Sequence, residues 1–414
     1  MWRERATIAL VVLIVLATHL TYEYLSDGDF YYPDSFTYLA PSLSMLRGLG
    51  FSTEGDPETL RTPGYPVFLL PFVAMKAPAG AIVAIQHLMD ALLAAAIYIL
   101  ARRNGARRSA AFAAALILGL DTITIHYANK ILTETLSAVI VFSIFVIVTH
   151  RRTLPALIVT GLLCGALVLV RPVAILYFGV VILWLAYVRT RPVAIVVFAA
   201  AALLPPLAWA SRNAAHTGVF TISSIGSSNL LMHRAAGALA MEDHGGDFAA
   251  RLNARQHELQ KIVDDRIKSH EGVDDPFDLN TADLAPYYSA LARSILVRHP
   301  RGAMLVTLRG LAVNIADTDW DALAEVVDDD LIPEEATKIA VHAWTWALWL
   351  VAIAGVVVMW RRDRPLALLI AATIFYFIFM AAGGEAEARF RVPVVPLMAY
   401  AAAFSLSRLR ERVP

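Results

Sequence analysis

The sequence predicts an all-α polytopic membrane protein with about ten transmembrane helices, and three observations carry that reading. Of the 414 residues, 58% are hydrophobic and the mean hydropathy is +0.59. The apolar residues come in runs of roughly 17–25, the length that crosses a bilayer, rather than in the short alternation of a soluble domain. The charges, which cancel to zero overall, are sorted by position along the chain.

The spans fall near 6–24, 80–100, 109–127, 132–149, 154–170, 173–188 and 192–211, and after a long polar interval near 338–360, 365–382 and 393–407. An even number of spans returns the C-terminus to the side of the N-terminus. The links on that side (MWRER, ARRNGARR, HRRT, RTR, RRDR and RLRER) hold sixteen arginines against Glu4, Asp363 and Glu411. Short basic loops stay cytoplasmic, so both termini are expected inside, in a plasma membrane. The interval 213–337 then lies outside, with twenty acidic against ten basic residues. The first run has arginines before its apolar core, but LATHLTYEY is a poor cleavage site, so it reads as an uncleaved anchor. Cys164, the only cysteine, excludes an intrachain disulfide. No basic, aromatic-interleaved patch points to nucleic acid.

These elements divide the chain into a seven-span module at 1–212, an extracytoplasmic helical interval at 213–337 and three C-terminal spans at 338–414. Within the outer loop 25–79, SFTYLAPSLSMLRGL and GYPVFLLPFVAM have helical apolar spacing but are too short to cross, and are expected in the interface plane. RTPGYP between them reads as a turn. In the interval, FAARLNARQHELQKIVDDRIKSH is the clearest helix, and Asn280 or Thr281 suits the N-cap of a helix ending near Arg298. The segment 302–316, with Arg309 at its middle, is short for a span and is expected to lie on the membrane.

The topology gathers the polar residues that need a reason on one side. Asp34, Arg61, Lys130, Glu134, Arg171, Arg212, Glu385, Glu387, Arg389 and Arg391 map to outer span ends or to the first outer loop. Ionisable groups at membrane depth cost about 2.5–3.5 kcal/mol each on insertion scales, so they point to function by default. A carboxylate beside a hydroxyl accepts its proton as it attacks an electrophile, and arginines hold a phosphate bidentately as charge builds on it. A base and several cations at the lipid boundary suit a phosphate whose tail stays in the bilayer.

At this point the residues resemble a family. PDSFTYLA, with Asp34 and Tyr38, then RTPGYPVFLL and ILTETL around Glu134, are similar to motifs of the GT-C glycosyltransferases that use lipid-phosphate sugars. So are Arg171-Pro172, SRN at 211–213 and EARFRVPVVP at 387–396. The group includes the protein O-mannosyltransferases (glycosyltransferase family 39) and the aminoarabinose transferases that modify lipid A. The resemblance covers the transmembrane chain nearly end to end. It implies a GT-C fold and an inverting transfer from a polyprenyl-phosphate sugar to an acceptor hydroxyl on the outer face. Asp34 would be the general base. Arg61, Lys130, Arg171, Arg389 and Arg391 would hold the donor phosphate, and Tyr38, Tyr65, Asp121, Glu134, Arg212 and Glu387 would shape the sugar or acceptor pocket. The implied partners are the donor lipid and other membrane lipids, with no cofactor. The DGD at Asp27 and Asp29 resembles the metal-binding Asp-x-Asp of oligosaccharyltransferases, but no metal is expected here. Ser35 stands where the O-mannosyltransferases carry a glutamate, which sets a protein acceptor in doubt.

Structural roles compete with these assignments. Asp34 also suits the N-cap of SFTYLAPSLSML. Lys130 and Glu134 are four apart, the spacing of a helix ion pair, unless the chain turns at 128–131. Arg171-Pro172 suits a span end with Pro opening the next helix. Arg389 and Arg391 alternate, so one is free to pair with Glu387 while the other faces the site. Gln86, His87 and Asp90 in the second span read as interhelical hydrogen bonders. His126, His216 and His233 have no metal-ligand spacing, and Tyr31, Tyr32, Tyr38 and Tyr65 suit an interfacial belt. The rival function is a transporter or flippase of a lipid-linked anion. The chain lacks the internal repeat that such proteins often show.

Overall fold

The computed structural model describes residues 2–271, 281–326 and 333–409, and almost everything in it is helix. Asn280 lies outside the described residues. In chain order the helices are α1 (Trp2–Leu25), α2 (Pro33–Leu46), α3 (Gly64–Ala74), α4 (Ala79–Arg103), α5 (Arg108–Gly119), α6 (Thr122–Ala128), α7 (Glu134–His150), α8 (Leu154–Val170), α9 (Tyr177–Tyr187) and α10 (Pro192–Thr217). Beyond them come α11 (Ile225–Asn229), α12 (Ala236–Glu242), α13 (Phe248–Glu271), α14 (Thr281–Arg298), α15 (Pro300–Ala316), α16 (Trp320–Ala324), α17 (Glu334–Trp360), α18 (Arg364–Met380) and α19 (Val395–Leu409). One antiparallel pair, β1 (Ser52–Thr53) with β2 (Asp56–Pro57), interrupts them.

Each predicted span is helical, but length separates them. Among the described residues five helices are long and apolar enough to cross a membrane: α1, α4, α10, α17 and the stretch Ala388–Arg408, which takes in most of α19. The bent pair α5–α6, kinked by 49°, makes a sixth if it counts as one span. The helices α7, α8 and α18 have 17 residues each, about 25 Å at 1.5 Å per residue and so shorter than the bilayer core. The breaks have local causes. Arg171 precedes a proline and takes an extended conformation, φ −138° and ψ 107°, which ends α8 before the short 3-10 turn Pro172–Leu176. Asp121 caps α6 after the kink, accepting from the Thr124 amide at 3.0 Å.

Three apolar cores hold the molecule together. The largest lies among the long helices and is centred on α19, where Val395 and Leu397 to Ala403 are fully buried. A second sits under the loop 25–79, around Tyr65, Leu69, Ile123 and Tyr127. A third joins α12, α13 and α14 through Leu231, Val263, Ile267 and Ala292, giving the interval 213–337 a core of its own.

The predicted loop helices appear as α2 and α3, and the turn RTPGYP is shorter than expected because α3 begins inside it at Gly64. A side chain at Gly64 would put its Cβ 2.5 Å from the Leu169 carbonyl oxygen. Glycine thus lets the start of α3 press against the end of α8, one residue pair from Arg171.

Candidate functional site

Residues from six stretches of the chain line one cavity of about 550 Å³. Helix α2 brings Asp34 and Tyr38, the turn before α3 brings Arg61, and the start of α7 brings Glu134. The break after α8 brings Arg171, and the segment before α19 brings Glu387, Arg389 and Phe390. The polar wall is balanced: four carboxylates (Asp34, Glu134, Glu385, Glu387) face four guanidiniums (Arg61, Arg171, Arg234, Arg389).

Asp34 stands in the first turn of α2 without capping it. The helix starts at Pro33, and Ser35 supplies the cap, its Oγ accepting from the Tyr32 amide at 2.9 Å. The Asp34 carboxylate is left for two arginines. Arg61 Nη2 donates to Oδ1 at 2.5 Å and Arg389 Nη1 donates to Oδ2 at 3.0 Å. Burial alone would raise the Asp34 carboxyl, but Arg61 and Arg389 outweigh it and hold the group below the usual carboxylate range. Arg61 is fixed further by Thr37 Oγ1 at 2.8 Å and by Tyr38, whose hydroxyl accepts at 3.2 Å.

On the adjoining wall Arg171 Nη1 donates to Glu134 Oε1 at 3.1 Å, with both side chains buried. Arg171 and Arg389 each lie 5.3 Å from the ring of Phe390. Arg389 also lies 5.1 Å from the Tyr32 ring. Its Nε sits 2.6 Å from Glu387 Oε2, close enough for an ion pair but out of line for a hydrogen bond. Burial pushes the Glu387 carboxyl up. Arg389 opposes that rise, and Asp319, Glu134 and Asp34 add to it.

Five of the predicted residues point elsewhere. Lys130 is held by Asp29, through both its carboxylate and its carbonyl; the turn at 128–131 separates Lys130 from Glu134, which pairs with Arg171 instead. Arg391 is fully buried and donates to the carbonyls of Asn314, Ile315 and Asp317 at 3.1–3.2 Å, closing the C-terminus of α15. Arg212 donates to the carbonyls of Glu58 and Phe51, tying the β1–β2 hairpin to α10. Tyr65 donates to Gln86 at 2.7 Å, and Gln86 donates to the carbonyls of Ala128 and Lys130. Asp121 caps α6 and accepts from the Trp344 indole at 3.1 Å. The Gln86 and His87 contacts are interhelical as expected, His87 lying 3.0 Å from His19 through their Nδ1 atoms. Asp90 is buried beside Thr135. His126 meets the Tyr22 hydroxyl at 2.7 Å, and His216 is exposed. Among the described residues no group of three or more His, Cys, Asp or Glu is arranged to hold a metal ion.

On the far wall of the cavity only Glu385 was among the residues gathered from the sequence. The rest comes from α11 and the π-helical segment Leu230–Ala235, with Asn229, His233 and Arg234. Arg234 donates to Glu385 Oε1 at 3.2 Å and to the Met380 carbonyl at 2.6 Å. Burial pushes the His233 imidazole down, with Glu385 opposing. Gly384 lets this wall close, since a Cβ there would collide with the His233 carbonyl. Glu385 and the doublet Gly383-Gly384 ahead of it carry a sequence signal; a π-helical turn has no comparable mark in a single sequence.

No family model matches this chain, and no curated protein matches it. Among solved structures it is similar to the archaeal oligosaccharyltransferase AglB from Archaeoglobus fulgidus, in complex with an inhibitory peptide and a dolichol-phosphate. The TM-score is 0.55 at 13% identity, over 100% of this chain and 51% of that one. The chain therefore shares a membrane-protein fold with AglB and spans about half its length.

Proposed function

We propose that the protein is an inverting membrane glycosyltransferase of GT-C type, moving a sugar from a polyprenyl-phosphate donor to an acceptor hydroxyl. The observation that carries this is the Asp34–Arg389 contact, made across 355 residues in a cavity that also holds the Arg171–Glu134 pair. The fold shared with AglB, whose structure holds a dolichol-phosphate, supports it. In this reading all ten apolar runs reach the lipid, and 302–316 lies on the membrane. The three-part division at 212 and 337 holds, both termini are cytoplasmic, and the cavity opens on the outer face of the plasma membrane.

The chemistry follows from the pairing. Arg171 and Arg389, both beside Phe390, take the donor phosphate. Arg389 then leaves Asp34 Oδ2, while Arg61 keeps Oδ1 and the orientation of the carboxylate. Losing one cation raises the basicity of Asp34 at the moment the donor is in place. The acceptor hydroxyl gives its proton to Asp34 as its oxygen bonds to the anomeric carbon. The bond from that carbon to the phosphate oxygen breaks on the opposite face, and its electron pair stays on the phosphate, where two guanidiniums neutralise it. Tyr38, Glu134 and Glu387 bound the space for the sugar.

The test is a transfer assay on purified protein in nanodiscs with a panel of radiolabelled polyprenyl-phosphate sugars and membrane-lipid extract. Label moving to a new product with wild type but not with Asp34→Asn is the expected result. Label crossing liposomes without any transfer would replace this reading by the transporter.

A further inference from the structure

At the end of α9 and α18 remote from the candidate site, two cavities of about 710 and 830 Å³ adjoin, sharing Arg152 and Val188. The first also carries His150 and Arg362, and the second Arg189 and Arg191. These cations come from three separate links: the turns between α7 and α8, between α9 and α10, and between α17 and α18. The guanidiniums of the candidate site are all paired. In contrast, Arg152, Arg189, Arg191 and Arg362 make no side-chain hydrogen bond or ion pair among the described residues. The one carboxylate on these walls, Asp363, is turned to the amide of Leu366, capping α18 at 3.0 Å. The mouth is therefore positive and unsatisfied.

The floor is of the opposite character. Met359, Leu366, Phe404 and Trp184 line the first cavity, and Trp184 belongs as well to an apolar groove of about 370 Å³ between α9 and α18. Its indole donates to the Pro365 carbonyl at 2.6 Å, which fixes it at the junction. Leu183, Phe375 and Tyr187 beside the groove are 74%, 64% and 53% exposed. A basic mouth continuous with an aromatic furrow facing the bilayer matches one kind of molecule: a charged head on an acyl chain.

We propose that this is a binding site for an anionic phospholipid. The headgroup phosphate lies at Arg152 and Arg362, with Arg189 and Arg191 beside it, and one acyl chain runs past Trp184 into the furrow. Arginines this exposed hold a small anion poorly against water and salt. The chain supplies the rest by burying methylenes against Leu183, Tyr187 and Phe375. The proposal is independent of the transferase reading, because none of these residues lines the candidate site.

The experiment offers the purified protein equal amounts of phosphatidylglycerol and phosphatidylcholine in mixed micelles and counts retained lipids by native mass spectrometry. Phosphatidylglycerol is expected to be retained preferentially. The preference should drop about fivefold for each of Arg152→Gln and Arg362→Gln. Ala372→Trp, which fills the furrow, should reduce retention of both lipids. Arg5→Gln with Arg103→Gln, on exposed arginines outside these walls, should leave the preference unchanged. Equal retention of the two lipids would overturn the proposal, as would an equal loss in the control pair. It also falls if millimolar inorganic phosphate displaces the lipid, since the site would then be one for a free anion.

Discussion

Arg389 and Arg391 sit two residues apart in the same short turn and face opposite duties. Arg389 reaches into the cavity, to Asp34 at 3.0 Å, while Arg391 turns inward and closes three carbonyls at the end of α15. Alternation along the turn sends the two guanidiniums to opposite sides.

The two should separate on mutation. Arg391→Met removes charged hydrogen bonds from buried carbonyls at about 1.5–3 kcal/mol each, so a loss of at least about 3 kcal/mol is expected. Thermal unfolding in detergent reads it. Arg389→Lys keeps the charge but not the fork, so it should fold normally and weaken use of the donor. Equal melting temperatures for the two variants would contradict these assignments.

Asp34→Asn should insert and fold as wild type does, yet lose transfer by on the order of 10²–10⁴-fold, the usual contribution of a general base. Its affinity for unglycosylated polyprenyl phosphate should rise, because Arg389 no longer has a competing carboxylate. Appreciable turnover by this variant removes Asp34 from the base role.

Arg171 and Glu134 form a buried pair, so breaking it from one side should cost more than replacing both. Glu134→Gln alone leaves a buried guanidinium without its counter-ion, and about 3–5 kcal/mol is expected. The double variant Glu134→Leu with Arg171→Met should recover much of that stability while remaining inactive. A double variant less stable than both singles would show that the pair contributes more than mutual neutralisation.

The two carboxyls beside Arg389 give opposite pH slopes. Asp34 is held below its unfolded value, so between the two values the unfolded chain binds more protons, and stability falls as pH drops through that window. Glu387 is raised above the unfolded value of about 4.3, so the native state binds more protons there and stability falls as pH rises. Asp34→Asn should flatten the acid slope and Glu387→Gln the one above it. Unfolding followed from pH 3 to 7 tests both, and either variant keeping the wild-type profile refutes its half.

The gathering of residues around one cavity was legible in the sequence, while the direction of each side chain was not. Charge sorting and motif order gathered Asp34, Tyr38, Arg61, Glu134, Arg171, Glu387 and Arg389, which share the cavity. Lys130, Arg212 and Arg391 carry equally suggestive charges at equally suggestive depths. Their partners are the Asp29 carboxylate and carbonyl, the hairpin carbonyls and the α15 carbonyls, and backbone groups have no residue signature. Breaks within an apolar run were not legible for a related reason. An apolar run such as 109–127 tells how much chain prefers lipid, but not that Asp121 will cap a new helix after a 49° kink.

The 355 residues between Asp34 and Arg389 also set a schedule for biosynthesis. At about 5–20 residues per second, the ribosome makes Arg389 roughly 20–70 s after Asp34. Until then Arg61 is the only one of the two arginine partners of Asp34 that has been made. The cavity is completed only when the segment 385–390 follows, so a product stalled or cleaved before residue 385 would lack that wall. Newly made chains thus form the Asp34–Arg389 contact only after 355 further residues have been added.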